Sequence, residues 1–256
     1  MIDTKAESHD PGSHKAELIT KSINDSLEAL GLSKVHTYFL HLPDRSTPFE
    51  ETCRAINEAY EAGKFEKFGL SNYNANEVDQ IYKICEENNW VKPTVYQGQY
   101  NPIARVPEED LFPTLRKFNI PFYAFSPGAG GMFSGKITHD SINEKGTRWD
   151  KETLLGQAYA SIYLKDALLN AAKKVHDAAE MLGINGHTVA LRWMLHHSAL
   201  RGDLGDGIII GASSLQQLDD NMMICQDGPL PLELVKVVED VWDIAREWTP
   251  PSSKWW

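Results

Sequence analysis

The chain has few cysteines, few cations and no long apolar run, and each shortage excludes a class. Three cysteines, Cys53, Cys85 and Cys225, are spread over 256 residues. They are too few and too scattered for a disulfide scaffold or a cysteine-based zinc site. They read as small buried hydrophobes in a reducing compartment. Lysine and arginine number 25 against 36 aspartates and glutamates, a net charge of −11. A phosphate-backbone binder needs clustered cations, so no nucleic-acid role is expected. No apolar run approaches the ~18 residues of a membrane helix. The opening MIDTKAESHDPGSH is polar and lacks the apolar core of a signal peptide. A cytoplasmic protein without membrane attachment is the expectation.

What is present is an alternation of short β-rich runs and helical patterns. Ser13 to Leu30 carries Ala16, Ile19, Ile23, Leu27 and Leu30 at three-four spacing, and Gly31 stands where a helix ends. Val35–Leu40 reads as a strand. Thr47-Pro48-Phe49-Glu50 has the form of a capping box opening a helix that stops at Gly63. Phe65–Leu70 is the next strand, and Asn74 caps a helix with Val78, Ile81, Tyr82 and Cys85 inward. Pro93–Tyr96 begins a strand, Pro107 to Phe118 reads as helical, and Ile120–Phe125 and Gly207–Ile210 are strands. Two helices are expected between those last strands, at about Tyr163–Leu182 and Thr188–His197. Ser214 caps another, and one more spans about Pro231–Trp248. Thr138 to Leu155 reads as a long polar segment.

This alternation points to βαβ units on a parallel sheet, in one domain over residues 1–256. A closed barrel and an open doubly wound sheet are the two candidates. The latter calls for G-x-G-x-x-G between a strand and a helix. The one Gly-rich stretch, Ser126-Pro127-Gly128-Ala129-Gly130-Gly131, lacks that spacing. In a β/α barrel, function gathers just past the C-terminal strand ends. Those positions hold Lys5, His41, Ser71 and Asn72, Gln97, Ser126, and Gly211-Ala212-Ser213. Loop polarity alone accounts for any one of them, while together they would ring one mouth. The ring has no paired carboxylates, no Ser–His couple and no metal cluster. Amide side chains pair naturally with a carboxamide, and a Gly-rich loop with helix starts suits phosphate. The set fits a nicotinamide dinucleotide held without a Rossmann fold. Asp44 reads as a structural cap or ion-pair partner.

At these residues the sequence resembles the aldo-keto reductase family, on its aflatoxin-aldehyde reductase and potassium-channel β-subunit side. The matching segments are His41-Leu42-Pro43-Asp44, Gly69-Leu70-Ser71-Asn72-Tyr73, Val95 to Pro102, Tyr123-Ala124-Phe125-Ser126-Pro127, Ala190-Leu191-Arg192-Trp193 and Ile210-Gly211-Ala212-Ser213-Ser214. The resemblance implies a (β/α)8 barrel that binds NADP(H) and reduces aldehydes or ketones. It assigns Ser71, Asn72 and Gln97 to the carboxamide and Phe125 to stacking on the nicotinamide. Ser126, Pro127, Gly128 and Ala129 resemble the pyrophosphate loop. Ser213, Gln217, Asp220 and Asn221 resemble adenosine-side contacts, and Lys136 and Arg148 the cations on the 2′-phosphate and pyrophosphate. Of the family's Asp, Tyr, Lys and His tetrad, Lys5 and His41 have counterparts. The Asp and Tyr come from a region after the family's second strand, and this chain begins in its third. The expectation is therefore an N-terminally truncated barrel of five strands and a stub. Its activity would be impaired, and its open strand edges would call for a partner or a second copy. A non-catalytic NADP-binding or interaction module is the other reading. Trp255 and Trp256 could line a substrate pocket or be a frayed end. No metal is expected.

Overall fold

A computed structural model describes residues 1–6 and 10–249. The described chain gathers into two compact units. Met1–Gly98 and Glu109–Tyr123 form one, and Gln99–Glu108 with the chain from Ala124 onward forms the other.

The first unit follows a strict strand–helix rhythm: β1 (Asp3–Lys5), α1 (Ala16–Leu30), β2 (Val35–Leu40), α2 (Phe49–Glu61), β3 (Phe65–Ser71), α3 (Ala75–Glu87), β4 (Pro93–Gln99), α4 (Leu111–Lys117) and the start of β5 (Phe122–Phe125). β1 to β4 pair in parallel in sequence order. β5 lies next, where the Tyr96 amide donates to Pro121 O at 2.9 Å. Strands covered on both faces read as continuous apolar runs rather than alternating ones. β2 shows this, with Tyr38, Phe39 and Leu40 fully buried. α1 buries Ile19, Ile23 and Leu27 and ends at Gly31 in the left-handed region, as its spacing predicts.

Two helix starts behave differently. Asn74 caps α3 as expected, and Glu77 adds a reciprocal bond: the Glu77 amide lies on Asn74 Oδ1 at 3.0 Å and the Asn74 amide on Glu77 Oε2 at 2.9 Å. Thr47 does not cap α2. Its hydroxyl donates to Asp44 Oδ2 at 2.6 Å, and the cap position is Pro48. The nearby carboxylate outcompeted the orphan amides of the helix.

Asp44 is the centre of a buried knot, in keeping with a structural role. It also accepts from the Ser46 amide at 3.0 Å, the Ser46 hydroxyl at 2.6 Å and the His14 amide at 3.1 Å. Burial pushes its pKa up, but the Ser46 and Thr47 hydroxyls and the His14 and Gly12 amides outweigh that and hold it well below the ordinary carboxylate range. His14 is wholly buried. Burial pushes its pKa down to about 4, against the opposing pull of Asp44. A histidine kept neutral in the fold and free to charge when unfolded makes the unfolded state the better proton acceptor. Stability therefore rises with pH between about 4 and 6.5. Urea unfolding is expected to show about 2 kcal/mol less stability from this residue at pH 5 than at pH 7. His14→Gln should remove that increment, and an unchanged pH slope in the variant would refute it.

The second unit holds the end of β5, α5 (Leu154–Tyr163), α6 (Asp166–Met181), α7 (Gly186–His196), β6 (Gly207–Ile208), α8 (Leu215–Ile224) and α9 (Leu232–Ala245). β6 lies beside β5 through the Ile209 amide and Ala124 O, 2.8 Å apart. Three helices, not two, stand between β5 and β6. The helix missed is α5, which starts at the very end of the stretch read as polar and runs through residues to which the sequence reading gave no element. Its apolar side chains do not keep one face, and Leu154 and Leu155 are exposed. α6 and α9 face each other with Leu168, Ala171 and Val175 on one and Leu234, Val238 and Val241 on the other, all buried. Glu239 of α9 accepts from Trp193 Nε1 at 2.8 Å and from Arg105 at 2.5 Å. Among the described residues no helix is long and apolar enough to cross a membrane.

The architecture is α/β, with six strands of the (β/α)8 pattern. β1 is a three-residue stub and β6 has two residues, the latter shorter than Gly207–Ile210.

Candidate functional site

In the first unit the strand ends bring Lys5, His41, Ser71, Asn72 and Gln97 to one level of the sheet. Ser71 stands opposite Gln97 and Lys5 opposite Phe39 in the strand register. Lys5 is half-buried, and its ammonium lies 5.5 Å from the centre of the Phe39 ring. Burial lowers its pKa, and Asp3 on the same strand pulls it back up. Lys5 and His41 share the wall of a cavity of about 620 Å³ with Asp3, Ser22 and Asp25. No tyrosine of the described residues lines it.

Asn72 sits just beyond β3 at φ 64°, a conformation asparagine tolerates better than most residues. Its Nδ2 donates to His41 O at 3.0 Å and to Ser71 Oγ at 3.1 Å. Its Oδ1 is buried and has no hydrogen-bond partner among the described residues. A buried acceptor left open costs about 1–3 kcal/mol, which makes it a docking point for a donor such as a carboxamide N–H.

The second unit holds the Gly-rich loop. Ser126 has φ 55° and Ala129 φ 49°, and Gly130 and Gly131 are at 68° and 85°. Short turns fold the loop back on itself, with the Ala129 amide on Ser126 O at 3.0 Å and the Gly131 amide on Gly128 O at 2.9 Å. Consecutive residues of this kind aim backbone N–H groups into a concavity suited to anions. A cavity of about 460 Å³ opens there, and Phe125, Ser126, Pro127, Gly128, Arg148, Gln217 and Asn221 are on its wall. Ala129 is buried, and Lys136, Ser213 and Asp220 do not line this cavity. Lys136 is exposed on the loop. Asp220 accepts from Gln216 Nε2 at 2.9 Å. Ser213 presents its amide, at 2.7 Å, and its hydroxyl, at 3.0 Å, to Gln217 Oε1. Ser214 caps α8 as expected, through the Gln217 amide at 3.1 Å. The Gln217 side chain bonds Ser213, not the backbone of the cap residue.

Two wall residues escaped the sequence reading. His187 bonds Asn221 Oδ1 through Nε2 at 2.7 Å. Its ring edge stands against Gly128, where a Cβ would fall 3.1 Å from Cε1. Tyr159 of α5 bonds the Ser126 hydroxyl and carries Arg148 over its ring. The signal for His187 was present as Asn185-Gly186-His187, a helix start. Tyr159 lay in a helix without a clear apolar face. Trp255 and Trp256 lie outside the described residues. No group of three or more His, Cys, Asp or Glu is placed to hold a metal among those described.

The aldo/keto reductase family model aligns with residues 1–243. The chain belongs to that family. This aldo-keto reductase is 42% identical to an aldo-keto reductase of Pseudocercospora fijiensis, over 93% of the chain and 81% of the relative. It is 39% identical to human aldo-keto reductase family 7 member A3, over 97% of the chain and 77% of the relative. It is 37% identical to mouse aflatoxin B1 aldehyde reductase member 2, covering 97% and 69% respectively.

Proposed function

We propose that this reductase domain binds NADP(H) and reduces aldehydes or ketones, in the cytoplasm, where its free cysteines fit the reducing conditions. The observation that carries the reading is the unpartnered, buried Asn72 Oδ1 beside Ser71, at the strand level of Lys5, His41 and Gln97. A nicotinamide carboxamide offers the N–H that this oxygen lacks, and Gln97 and Ser71 add donors and acceptors for its carbonyl. Phe125 would stack on the ring. The loop from Ser126, with Ala129 shaping it from beneath, would receive the pyrophosphate. Gln217 and Asn221, with Ser213 and Asp220 nearby, would receive the adenosine side, and Lys136 and Arg148 the 2′-phosphate and pyrophosphate. A nicotinamide held there would supply hydride, and the alkoxide formed would take its proton from solvent water. His41 would orient the carbonyl by a hydrogen bond to its oxygen, and the Lys5 ammonium would favour negative charge developing there.

A second reading, a dinucleotide-binding module without turnover, rests on one observation. No tyrosine hydroxyl of the described residues shares the cavity of Lys5 and His41. Titration with NADPH, followed by protein fluorescence, is expected to saturate. Addition of an aromatic aldehyde is then expected to consume the reduced nicotinamide. Saturation without consumption favours the module, and no saturation overturns both readings.

A further inference from the structure

Arg148 is exposed and has no carboxylate partner among the described residues, yet it is on the wall of the loop cavity. Its guanidinium carbon lies 5.7 Å from the centre of the Tyr159 ring. The other end of the same tyrosine bonds the Ser126 hydroxyl, at the entry to the Gly-rich loop. Tyr159 is itself held by rings on two sides. Trp149 meets it edge-on at 5.7 Å, and Tyr163, one helical turn further along α5, lies at 5.5 Å. Gly130, at φ 68°, packs closely here: a Cβ would stand 3.2 Å from both Trp149 and Tyr159, so either ring would have to give by a few tenths of an ångström. One side chain therefore touches both the loop and the unpaired cation, and its own position is fixed by neighbours.

We propose that Tyr159 is a positioning residue that sets the preference for NADPH over NADH. Its ring holds Arg148 over the cavity so that the cation meets the 2′-phosphate, and its hydroxyl holds Ser126 so that the loop meets the pyrophosphate. An arginine on a loop would otherwise sample many rotamers and lose most of its value as a phosphate ligand. A cation–π contact with an aromatic face narrows that freedom without neutralising the charge. This inference rests on the dinucleotide reading above.

The two halves of the role are separable. Tyr159→Phe keeps the ring and removes the hydroxyl. It should weaken NADPH and NADH binding alike, leaving the ratio of their dissociation constants unchanged. Tyr159→Met removes the ring while keeping bulk. It should lower the preference for NADPH by about threefold to tenfold, the range a partly exposed cation–π contact gives. Arg148→Leu should lower it at least as far, and adding Tyr159→Met to Arg148→Leu should lower it no further. A preference unchanged in Tyr159→Met, or lost in Tyr159→Phe, overturns the proposal, as does additivity in the double variant. If Tyr159→Met fails to fold by near-ultraviolet circular dichroism, the Phe variant still decides, since retention of the preference is required of it. A parent chain that binds neither NADPH nor NADH overturns the dinucleotide reading and this inference with it. A parent that binds both, with variants that shift nothing, overturns this inference alone.

Discussion

Replacing Asp44 with alanine is expected to cost about 2–4 kcal/mol of folding stability, the scale for stranding several buried donors that share one charged acceptor. The carboxylate takes the Ser46 and His14 amides and the Ser46 and Thr47 hydroxyls. Alanine would leave these donors facing one another inside the protein, next to a His14 that has no room to move. The knot ties the segment before α1 to the turn after β2, the turn that also presents His41. Loss of stability should therefore come with weaker binding of NADPH if Ser71, Asn72 and His41 serve as proposed above. The sign with pH follows from the depressed carboxyl pKa. Its contribution is complete above the ordinary aspartate range and is lost only as pH falls through the lower folded value. The penalty should thus be full at neutral pH and shrink in acid. Asp44→Asn keeps one acceptor oxygen and should lose less than the alanine variant. Chemical denaturation giving a loss below about 1 kcal/mol for Asp44→Ala would show that the bonds are replaced by water or by rearrangement.

Gly186→Ala is expected to lower the melting temperature by about 6–12 °C, the equivalent of roughly 3 kcal/mol of overpacking in a chain of this size. Helix propensity alone points the other way, since alanine in place of a helical glycine ordinarily gains up to about 1 kcal/mol. The packing reverses the sign. A Cβ on Gly186 would stand 1.7 Å from Phe133 O and 2.4 Å from its carbonyl carbon. Both are backbone atoms of the turn that follows the Gly-rich loop, so no side-chain rotation relieves the overlap. The turn must shift, and with it the loop that Gly128 and His187 hold together. Scanning calorimetry settles the stability. A melting point equal to or above the parent would mean that α7 slides away from the turn at no cost.

The parts of the fold that were legible in the sequence are those in which one physical signal acts without competition. β2 and β3 are short apolar runs bounded by turns, and burial on both faces demands that pattern. Asn74 and Glu77 cap a helix because the Glu77 carboxylate has an oxygen for the Asn74 amide even while Arg45 holds the other at 2.7 Å. Thr47 carried the same spacing signal, but a carboxylate three residues earlier captured its hydroxyl. α5 was illegible because it is anchored by Gly156, Ile162 and Tyr163 and not by an apolar stripe. The site divides in the same way. Ser71, Asn72 and Gln97 stand at strand ends, and Ser126, Pro127 and Gly128 in a recognisable loop, so position along the chain betrays them. Lys136, Ser213 and Asp220 were read from resemblance, and the cavity wall passes them by. Tyr159 and His187 come to the wall through helix packing between distant segments, which no local pattern encodes.

The Gly-rich loop has already spent its freedom by the time the protein is folded. Ser126 and Ala129 hold left-handed conformations that cost a side-chain-bearing residue roughly 1–2 kcal/mol each. The bonds to Tyr159 and the packing of Trp149, Phe133 and Gly186 support that conformation. A floppy loop would surrender roughly 1–2 kcal/mol of backbone entropy per residue at every encounter with an anion. Here that ordering is completed once, during folding. The phosphate affinity proposed for this loop would thus be set in part by the stability of the helices behind it, and mutations that loosen α5 or α7 would register as weaker association even where no contacting atom has changed.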